Sequence, residues 1–546
     1  MITRGKLVIT AALAALLTLL ALPGAALAHA ELLSTSPSAG AVLDASPGSV
    51  TLTFNEPVEI SLGTLRLFDG GGNSVEVPAA RHPSGNDKAV VLQLPALGKG
   101  SYVVDWQVVS ADSHPVQGAF TFQIGKISSL QAGILNQIID RDHTSRTASI
   151  GLAITRGVII AAIAIVFGGL LAIATAIVDD SRRLRRVIAV MAGAGAVAGL
   201  LQLPLEVGYA TGRSLSVIVR SDAWSAAFDS RIGTAWVIRA AIVAVLGAAL
   251  LITLADRGSW WWRAITLGGL AAVGIVSAYG GHGATGRWIG VGVLATMVHV
   301  SAMAMWLGGL VALVLGFSTV TLAGARRFSA IALGAIVAVI ASGVVQSIRQ
   351  LGSIDALRNT HYGVVLVWKV VLVAVLLLVA NVSRHVVRRR RGLEPTEAAE
   401  DFDRPRLRRA VTIEAVLAVA IVVATSMLMA ANPSEVAASR PFSIQLLDGT
   451  YLAAVTIEPA HIGANELHIY LSSAESSLIE PDEVHVQISD PSRAVAAIDI
   501  PVTRSGASHY TTPAATFPYG ATWTLLITAR YNTFDEVQFT AKVPIR

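Results

Sequence analysis

The alternation of apolar and polar positions predicts a β-rich region at the start of the chain. Between residues 29 and 126 short alternating runs occur at Ser49–Phe54, Leu65–Phe68 and Val90–Leu94, and Gly, Pro and Asn separate them. Such alternation is typical of half-buried β-strands. Strands at this spacing in about 100 residues predict a small β-sandwich or barrel, and we assign a sandwich over 29–126.

The middle of the chain, residues 149–431, changes to long apolar runs that follow a polar linker at 127–148. A run must reach about 20 residues to cross a hydrocarbon core of about 30 Å as a helix. Eight runs satisfy this length, so we predict an eight-helix transmembrane bundle. The predicted spans are 152–178, 187–207, 234–255, 263–281, 291–316, 328–348, 363–381 and 410–431.

The final region, residues 440–546, returns to short alternating runs punctuated by Pro and Gly, and we predict a second β-sandwich there. Its histidines show no spacing typical of metal ligands. We therefore interpret them as ordinary surface or strand residues. They are His461, His468, His485 and His509.

The first 28 residues have the pattern of a cleaved secretory signal peptide. Arg4 and Lys6 precede an apolar run, and an Ala-x-Ala processing site ends at Ala28. Cleavage there makes His29 the first residue of the mature chain, where its α-amine and imidazole can chelate one metal ion. Nitrogen pairs of this kind suit Cu(II). The alternative is that His29 follows the cut by chance.

Composition and charge narrow the class of protein. Hydrophobic residues make up 53% and charged residues 14% of 546 residues, which indicates that most of the chain lies in lipid. Arginine is concentrated in alternate loops between the spans, and this places those loops in the cytoplasm and both β domains outside. The chain has no cysteine, so a soft metal must bind Met or His. It has no nucleotide-binding loop, and its net charge of +5 gives no reason to expect nucleic-acid binding.

A second candidate for metal ligation is the Asp112-x-His114 pair. Residues two apart in an extended segment point to the same side, so these side chains can join His29 around one ion. Two imidazoles, an amine and a carboxylate fit a tetragonal Cu(II) site, whereas Zn(II) prefers tetrahedral sites richer in His or Cys. The alternative is that Asp112 caps a turn before Pro115 and His114 is merely exposed.

These motifs resemble those of the CopC family of periplasmic copper-binding proteins. The resemblance covers 29–125 and depends on His29 after the cleavage site, T-S-P-S-A-G at 35–40, F-N-E-P-V at 54–58 and S-A-D-S-H-P-V-Q-G-A-F at 110–120. It implies that His29, Asp112 and His114 bind Cu(II), with Glu56 as an acidic residue near the metal. No Met lies between residues 30 and 126, so we expect no Cu(I) site of the Met-rich kind in this domain.

Ionisable and polar residues within the spans are costly in lipid and are therefore functional candidates. On the predicted topology nearly all lie towards the outer side, which predicts a polar vestibule; Glu414 is the exception. The outer residues are Arg156, Glu206, Arg239, His282, His299, Gln346 and Lys369.

A copper site in the membrane is predicted from His299 and Met303, which share a helix face four residues apart. Thioether and imidazole together suit Cu(I), although Met is also common filler in apolar helices. We expect His282 to join them from the neighbouring hairpin, in a site that takes Cu(I) or Cu(II).

The membrane region resembles the CopD family of copper-resistance membrane proteins. The resemblance covers about 150–431 and depends on S-A-Y-G-G-H-G-A at 277–284 and H-V-S-A-M-A-M-W-L-G-G-L at 299–310. The stretch 458–465 is loosely similar to small β domains appended to such proteins. A CopC domain followed by a CopD domain implies capture of copper outside and its delivery to a membrane path.

Three functions are consistent with the sequence. The first is a non-enzymatic, multi-pass protein of the cell membrane whose partners are copper ions and the lipid bilayer, and which takes part in copper uptake. The second is an electron-transfer or copper-reducing protein in which His282 and His299 bind haem. The third is a scaffold that hands copper to a cuproenzyme or copper chaperone without transporting it.

Overall fold

The structure is a computed structural model. It describes residues 30, 32–38, 41–111, 113, 115–125, 145–285, 288–350, 361–388, 404–429, 442–458, 460, 462–473, 481–506 and 508–545. The predicted signal peptide, residues 1–28, and most of the predicted linker lie outside these ranges.

Eight strands form the N-terminal β domain, as the alternating pattern predicts. In β3 every second residue is buried, with Val50 and Leu52 fully inaccessible and Phe54 1% exposed. The Phe54 ring meets that of Trp106 from the other sheet edge-on, with centroids 5.5 Å apart, and residues of both sheets form one core. The strands are β1 Leu32–Ser36, β2 Val42–Leu43, β3 Ser49–Phe54, β4 Val58–Asp69, β5 Ser74–Val75, β6 Ala89–Gln93, β7 Gly100–Ser110 and β8 Pro115–Ile124.

The two sheets of this domain have the orders β1-β3-β6 and β2-β8-β7-β4-β5. All pairings are antiparallel except β2 with β8. The hairpin of β7 and β8 pairs Val109 with Pro115, and Ala111 and Ser113 are the described residues of the connection between the two strands. This connection carries the Asp112-x-His114 motif.

Among the described residues eight helices are long and apolar enough to cross a bilayer, which confirms the predicted number. Large apolar side chains remain on their outer surface, as expected for contact with lipid; Val245, Leu378 and Val416 are examples. The helices are α1 Arg146–Ala174, α2 Arg182–Ala210, α3 Arg231–Ile252, α4 Trp260–Tyr279, α5 Ile289–Leu315, α6 Leu322–Gln350, α7 His361–Arg388 and α8 Arg404–Leu428.

The helices extend beyond the purely apolar segments. For example, α1 begins at Arg146 rather than at residue 152, because the Ser145 side chain accepts a hydrogen bond from the Ala148 N–H and caps the helix. Two helices contain π turns, at Ala164–Gly168 in α1 and Ile242–Leu246 in α3. A short helix, Ser221–Phe228, precedes α3.

Small residues let α1 and α5 approach closely. A Cβ on Gly308 would lie 2.0 Å from the Ala164 carbonyl oxygen, and one on Gly168 would lie 2.1 Å from the Ala304 carbonyl oxygen. Glycine at both places allows the backbones to touch, which is the usual way in which membrane helices associate. The W-L-G-G stretch at 306–309 therefore has a packing role.

The C-terminal domain consists of two antiparallel sheets with the orders β14-β15-β11-β10-β9 and β13-β12-β16-β17. They share one core that includes Leu467, Ile469, Phe517 and Trp523, all at most 1% exposed. The strands are β9 Phe442–Asp448, β10 Tyr451–Glu458, β11 Gly463–Ser473, β12 Glu483–Asp490, β13 Val495–Asp499, β14 Thr503–Gly506, β15 His509–Phe517, β16 Ala521–Arg530 and β17 Glu536–Ile545.

Candidate metal sites

The described residues of the N-terminal domain converge around Glu56. Ser110, the last residue of β7, donates a hydrogen bond from its Oγ to Glu56 Oε1 at 2.6 Å. The Ala30 N–H in turn donates to Ser110 Oγ at 3.4 Å. Both Ser110 and Ala30 are buried. The structure thus brings the residue after His29 and the strand that leads to Asp112 together beside one carboxylate.

The predicted ligands His29, Asp112 and His114 themselves lie outside the described residues. Their neighbours correct one expectation about them. Ser113 has a φ of +74°, and β8 begins at Pro115, so the backbone at Ser113 is not extended as the two-residue spacing argument assumed. The approach of Asp112 and His114 to one ion stays a prediction.

In the membrane domain His299 has a defined hydrogen-bonding partner. Its Nδ1 lies 3.0 Å from Ser342 Oγ on α6, and that hydroxyl donates its proton to the Ala338 carbonyl at 2.5 Å. Because the hydroxyl proton is engaged, Ser342 Oγ must accept from His299 Nδ1–H. A neutral His299 therefore carries its lone pair on Nε2, the form in which imidazole binds a metal.

Further polar groups continue from this pair towards the end of the two helices. Gln346 follows Ser342 by one turn of α6, and its Nε2 is buried without a hydrogen-bond partner among the described residues. Arg349 follows by another turn, is 8% exposed and donates to the Thr285 carbonyl at 2.6 Å. We call His299, Ser342, Gln346 and Arg349 the polar seam between α5 and α6.

The turn that contains His282 packs against the same part of α5. A Cβ on Gly283 would lie 2.6 Å from Thr296 Oγ1, and Thr296 lies one helical turn from His299. The main chain of His282 and the His299 side chain therefore belong to adjoining elements at one end of the bundle. The His282 side chain lies outside the described part of the structure, so its meeting with His299 and half-buried Met303 stays a prediction.

Three other intramembrane residues singled out in the sequence form a separate buried cluster. Arg156 pairs with Glu206 at 3.2 Å, while Arg239 donates to Gln202 Oε1 at 2.6 Å. The guanidinium carbons of Arg156 and Arg239 lie 6.0 and 5.9 Å from the centroid of the Trp236 ring. Sequence reasoning missed Gln202 and Trp236, although Gln202 precedes Glu206 by one helical turn, which was a readable signal.

The charge of this cluster decides what it can bind. Two guanidinium groups face one carboxylate, which leaves a net positive charge in a desolvated place. A metal cation is disfavoured beside these two guanidinium groups. Arg156 also donates to the Met429 carbonyl at 2.7 Å, so the cluster ties α1 to α2 and to the end of α8.

Two histidines of the C-terminal domain contact each other across neighbouring strands. His468 Nδ1 lies 3.0 Å from His509 Nε2, and His468 Nε2 lies 3.2 Å from Glu466 Oε1. His485 is exposed and contacts its neighbour Glu483, while His461 lies outside the described residues. His468 and His509 lie in β11 and β15, as expected of strand residues, but linear spacing did not reveal that their side chains contact each other. Within the described ranges no group of three or more His, Asp or Glu side chains is arranged around a single ion position.

Comparison with known families assigns most of the chain to copper-related domains. Residues 32–125 match the CopC domain. Residues 147–291 match the copper resistance protein D-like N-terminal domain, and residues 322–428 match copper resistance protein D. The expected pairing of the two families in one polypeptide is confirmed.

Individual relatives agree with these assignments. Copper transport protein CutJ of Bacillus subtilis (strain 168) is 28% identical over 406 residues, which cover 70% of this chain and 73% of that protein. Copper resistance protein C of Escherichia coli is 35% identical over 106 residues, or 18% of this chain and 83% of that protein. The crystal structure of CopC from Methylosinus trichosporium OB3b covers 19% of this chain and 99% of its own, with 33% identity and a TM-score of 0.17.

Proposed function

Because this chain joins a CopC domain to a CopD membrane domain, we propose that it captures Cu(II) outside the cell membrane and passes copper into a path through the helix bundle for uptake. The relative CutJ is named a copper transport protein, which supports a role in copper transport for this chain. The observation that carries the membrane step is the polar seam, where His299 holds a metal-binding nitrogen in an apolar bundle.

The capture site we propose consists of His29, Asp112 and His114, with Glu56 beside them. The hydrogen bonds from Ala30 to Ser110 and from Ser110 to Glu56 support it, because they hold the two ligand-bearing segments at one place. An N-terminal amine, two imidazoles and a carboxylate form a donor set that favours Cu(II). Since amine and imidazoles must lose protons to bind, capture weakens as the pH falls.

The membrane step uses His299, with Met303 and His282 as further donors. A buried amide without a partner costs about 1–3 kcal/mol, so the Gln346 Nε2 beside this position favours a hydrated or ligand-bearing path over a dry apolar contact. The sequence contains no nucleotide-binding loop, so we propose that copper moves down its gradient or with the membrane potential. For a monovalent ion the potential contributes about 2.3 kcal/mol per 100 mV.

This path requires both β domains to lie outside the cell, as the arginine-rich loops predict. Cysteines introduced in the Cys-free chain can test the orientation with a membrane-impermeant thiol reagent. Phe534→Cys, at a position 95% exposed in the C-terminal domain, is expected to react in intact cells, whereas Arg183→Cys is expected to react only after lysis. The opposite pattern would refute capture from outside.

Copper accumulation in cells tests the function itself. Cells with the wild-type protein are expected to accumulate more copper than cells without it, and His299→Ala is expected to abolish the difference. Ser342→Ala removes only the acceptor for Nδ1–H and is expected to give an intermediate level, while Ser329→Ala on the same helix serves as the control. Normal accumulation by His299→Ala would refute the path.

Two other results would favour the alternative functions. A Soret absorption band in the purified protein would favour haem ligation, and loss of cuproenzyme activity without a change in copper accumulation would favour a scaffold.

A further inference from the structure

The C-terminal domain places two imidazoles side by side on the face of a sheet. In the pairing of β11 with β15, Tyr470 lies opposite His509 and His468 lies opposite Thr511. His468 and His509 are therefore diagonal neighbours, a relation within reach of aromatic side chains. Their rings are nearly parallel, at 14°, with centroids 5.3 Å apart, and His468 Nδ1 lies 3.0 Å from His509 Nε2.

This nitrogen separation fits two ligands of one metal ion. For metal–nitrogen bonds of about 2.0 Å, two nitrogens 3.0 Å apart subtend an angle of about 97° at the metal. Adjacent positions of a tetragonal Cu(II) site are separated by roughly this angle. A pair bound in this way leaves the other positions for water or a third donor.

A carboxylate lies behind the pair in the arrangement that orients metal-binding histidines. Glu466 Oε1 is 3.2 Å from His468 Nε2, the ring nitrogen that faces away from His509. When Nε2–H donates to this carboxylate, the lone pair of His468 is fixed on Nδ1, towards His509. The proton between the rings is then that of His509 Nε2–H, and binding of a metal ion through Nε2 requires the tautomer of His509 that carries its proton on Nδ1.

Stacking and burial hold the two rings in place. Tyr470 stacks on His509 with ring centroids 4.1 Å apart, and His468 is 4% exposed. On the next strand Glu458 lies directly opposite Glu466, so a second carboxyl group belongs to the same face.

We propose that His468 and His509 form a metal site that binds copper in the C-terminal domain, with Glu466 as a positioning residue. The choice of copper over other divalent ions rests on the proposed function, whereas the two-imidazole site rests on the geometry alone. The domain also offers a matched control. Glu483 and His485 repeat the Glu-x-His spacing with a contact of 2.8 Å, but the His485 side chain is exposed, whereas that of His468 is buried against His509.

The test is a Cu(II) titration of the purified full-length protein in detergent, followed by electron paramagnetic resonance. The wild type and His485→Asn are expected to bind an additional Cu(II) ion per chain compared with the double variant His468→Asn/His509→Asn. Glu466→Gln is expected to weaken this ion by about 10–100-fold, as removal of an orienting partner usually does, and Glu483→Gln is expected to leave it unchanged. Equal stoichiometry in all variants would overturn the proposal.

A second measurement needs no variant and so does not depend on how the buried His468 tolerates substitution. Copper-loaded wild-type protein is treated with ascorbate and oxygen, and oxidised histidines are located by mass spectrometry. Oxidation at His468 and His509, with His485 unmodified, supports the site; oxidation of His485 without the pair refutes it. Failure of the proposed transport function would be a separate result. Cells with and without the protein would then accumulate the same amount of copper, while the purified protein would still bind Cu(II) at His468 and His509.

Discussion

Replacing Gly308 by alanine places a methyl group between two membrane helices that touch through their backbones. The added Cβ would lie 2.0 Å from the Ala164 carbonyl oxygen and 2.6 Å from Gly168 Cα. Contacts below about 3.0 Å are not tolerated, so α1 and α5 must separate by roughly 1 Å. Both groups are backbone atoms, and side-chain rotation therefore cannot relieve the clash.

The expected loss follows from two opposing terms. Overpacking of a close contact typically costs about 1–3 kcal/mol, and the rigid backbone here favours the upper end. Alanine returns about 1 kcal/mol through its higher helix propensity. A net loss of about 2 kcal/mol remains, which corresponds to a decrease in Tm of roughly 4–8 °C.

The assay is thermal unfolding of the purified protein in detergent, with Gly290→Ala as the matched control. Gly290 belongs to the same helix, and a Cβ there meets no atom within 4 Å. This control is expected to be neutral or slightly stabilising because it carries the propensity term alone. Equal Tm values for the two variants would refute the view that the glycine of the W-L-G-G stretch serves packing.

Three further predictions address other parts of the chain. A mature protein that begins Gly-His29 is expected to lose Cu(II) affinity in competition titrations, because an amide replaces the chelating amine; unchanged affinity would exclude that chelate. Arg156→Ala is expected to cost about 3–5 kcal/mol in unfolding free energy by leaving Glu206 without its ion pair, while Arg183→Ala on the exposed end of α2 should cost little. Burial, then Glu466, raises the pKa of Glu458 to about 7, so its protonated form is favoured in the folded domain. This contribution is full below the unfolded pKa near 4.5 and is lost as the pH rises through about 7. Hydrogen exchange of the β10–β11 peptides should therefore accelerate between pH 6 and 8 in the wild type beyond its intrinsic pH trend, and less so in Glu458→Gln; Glu536→Gln is the control.

Helices that face lipid and strands that face one protein core could be predicted from the sequence. The eight spans are examples, because lipid demands a continuous apolar run whatever the neighbouring helices are. The alternation in β3 is another, since Val50, Leu52 and Phe54 face one core. In both cases the information lies within one segment of the chain, so a pattern along the sequence is sufficient.

Sites that depend on contacts between segments were harder to predict. The Asp112-x-His114 pair was interpreted as extended because two-residue spacing carries no information about a hairpin turn, and the positive φ of Ser113 is set by the pairing of β7 with β8. His468 and His509 are separated by about 40 residues, and only the register of β11 with β15 makes them neighbours. Their role could not have been inferred from spacing alone.

The membrane polar residues show how the structure separates groups that the sequence could only place on one side. Arg156 pairs with Glu206 and Arg239 with Gln202, and these contacts link α1 to α2 and α2 to α3 beside Trp236, while the two guanidinium groups repel a cation. His299 contacts Ser342, whose hydroxyl donates to the Ala338 carbonyl, so His299 Nδ1 carries the proton and Nε2 carries the lone pair. The proposed copper path therefore runs past His299 and not through the cluster of Arg156 and Arg239, while Arg349 places one positive charge at the end of the seam.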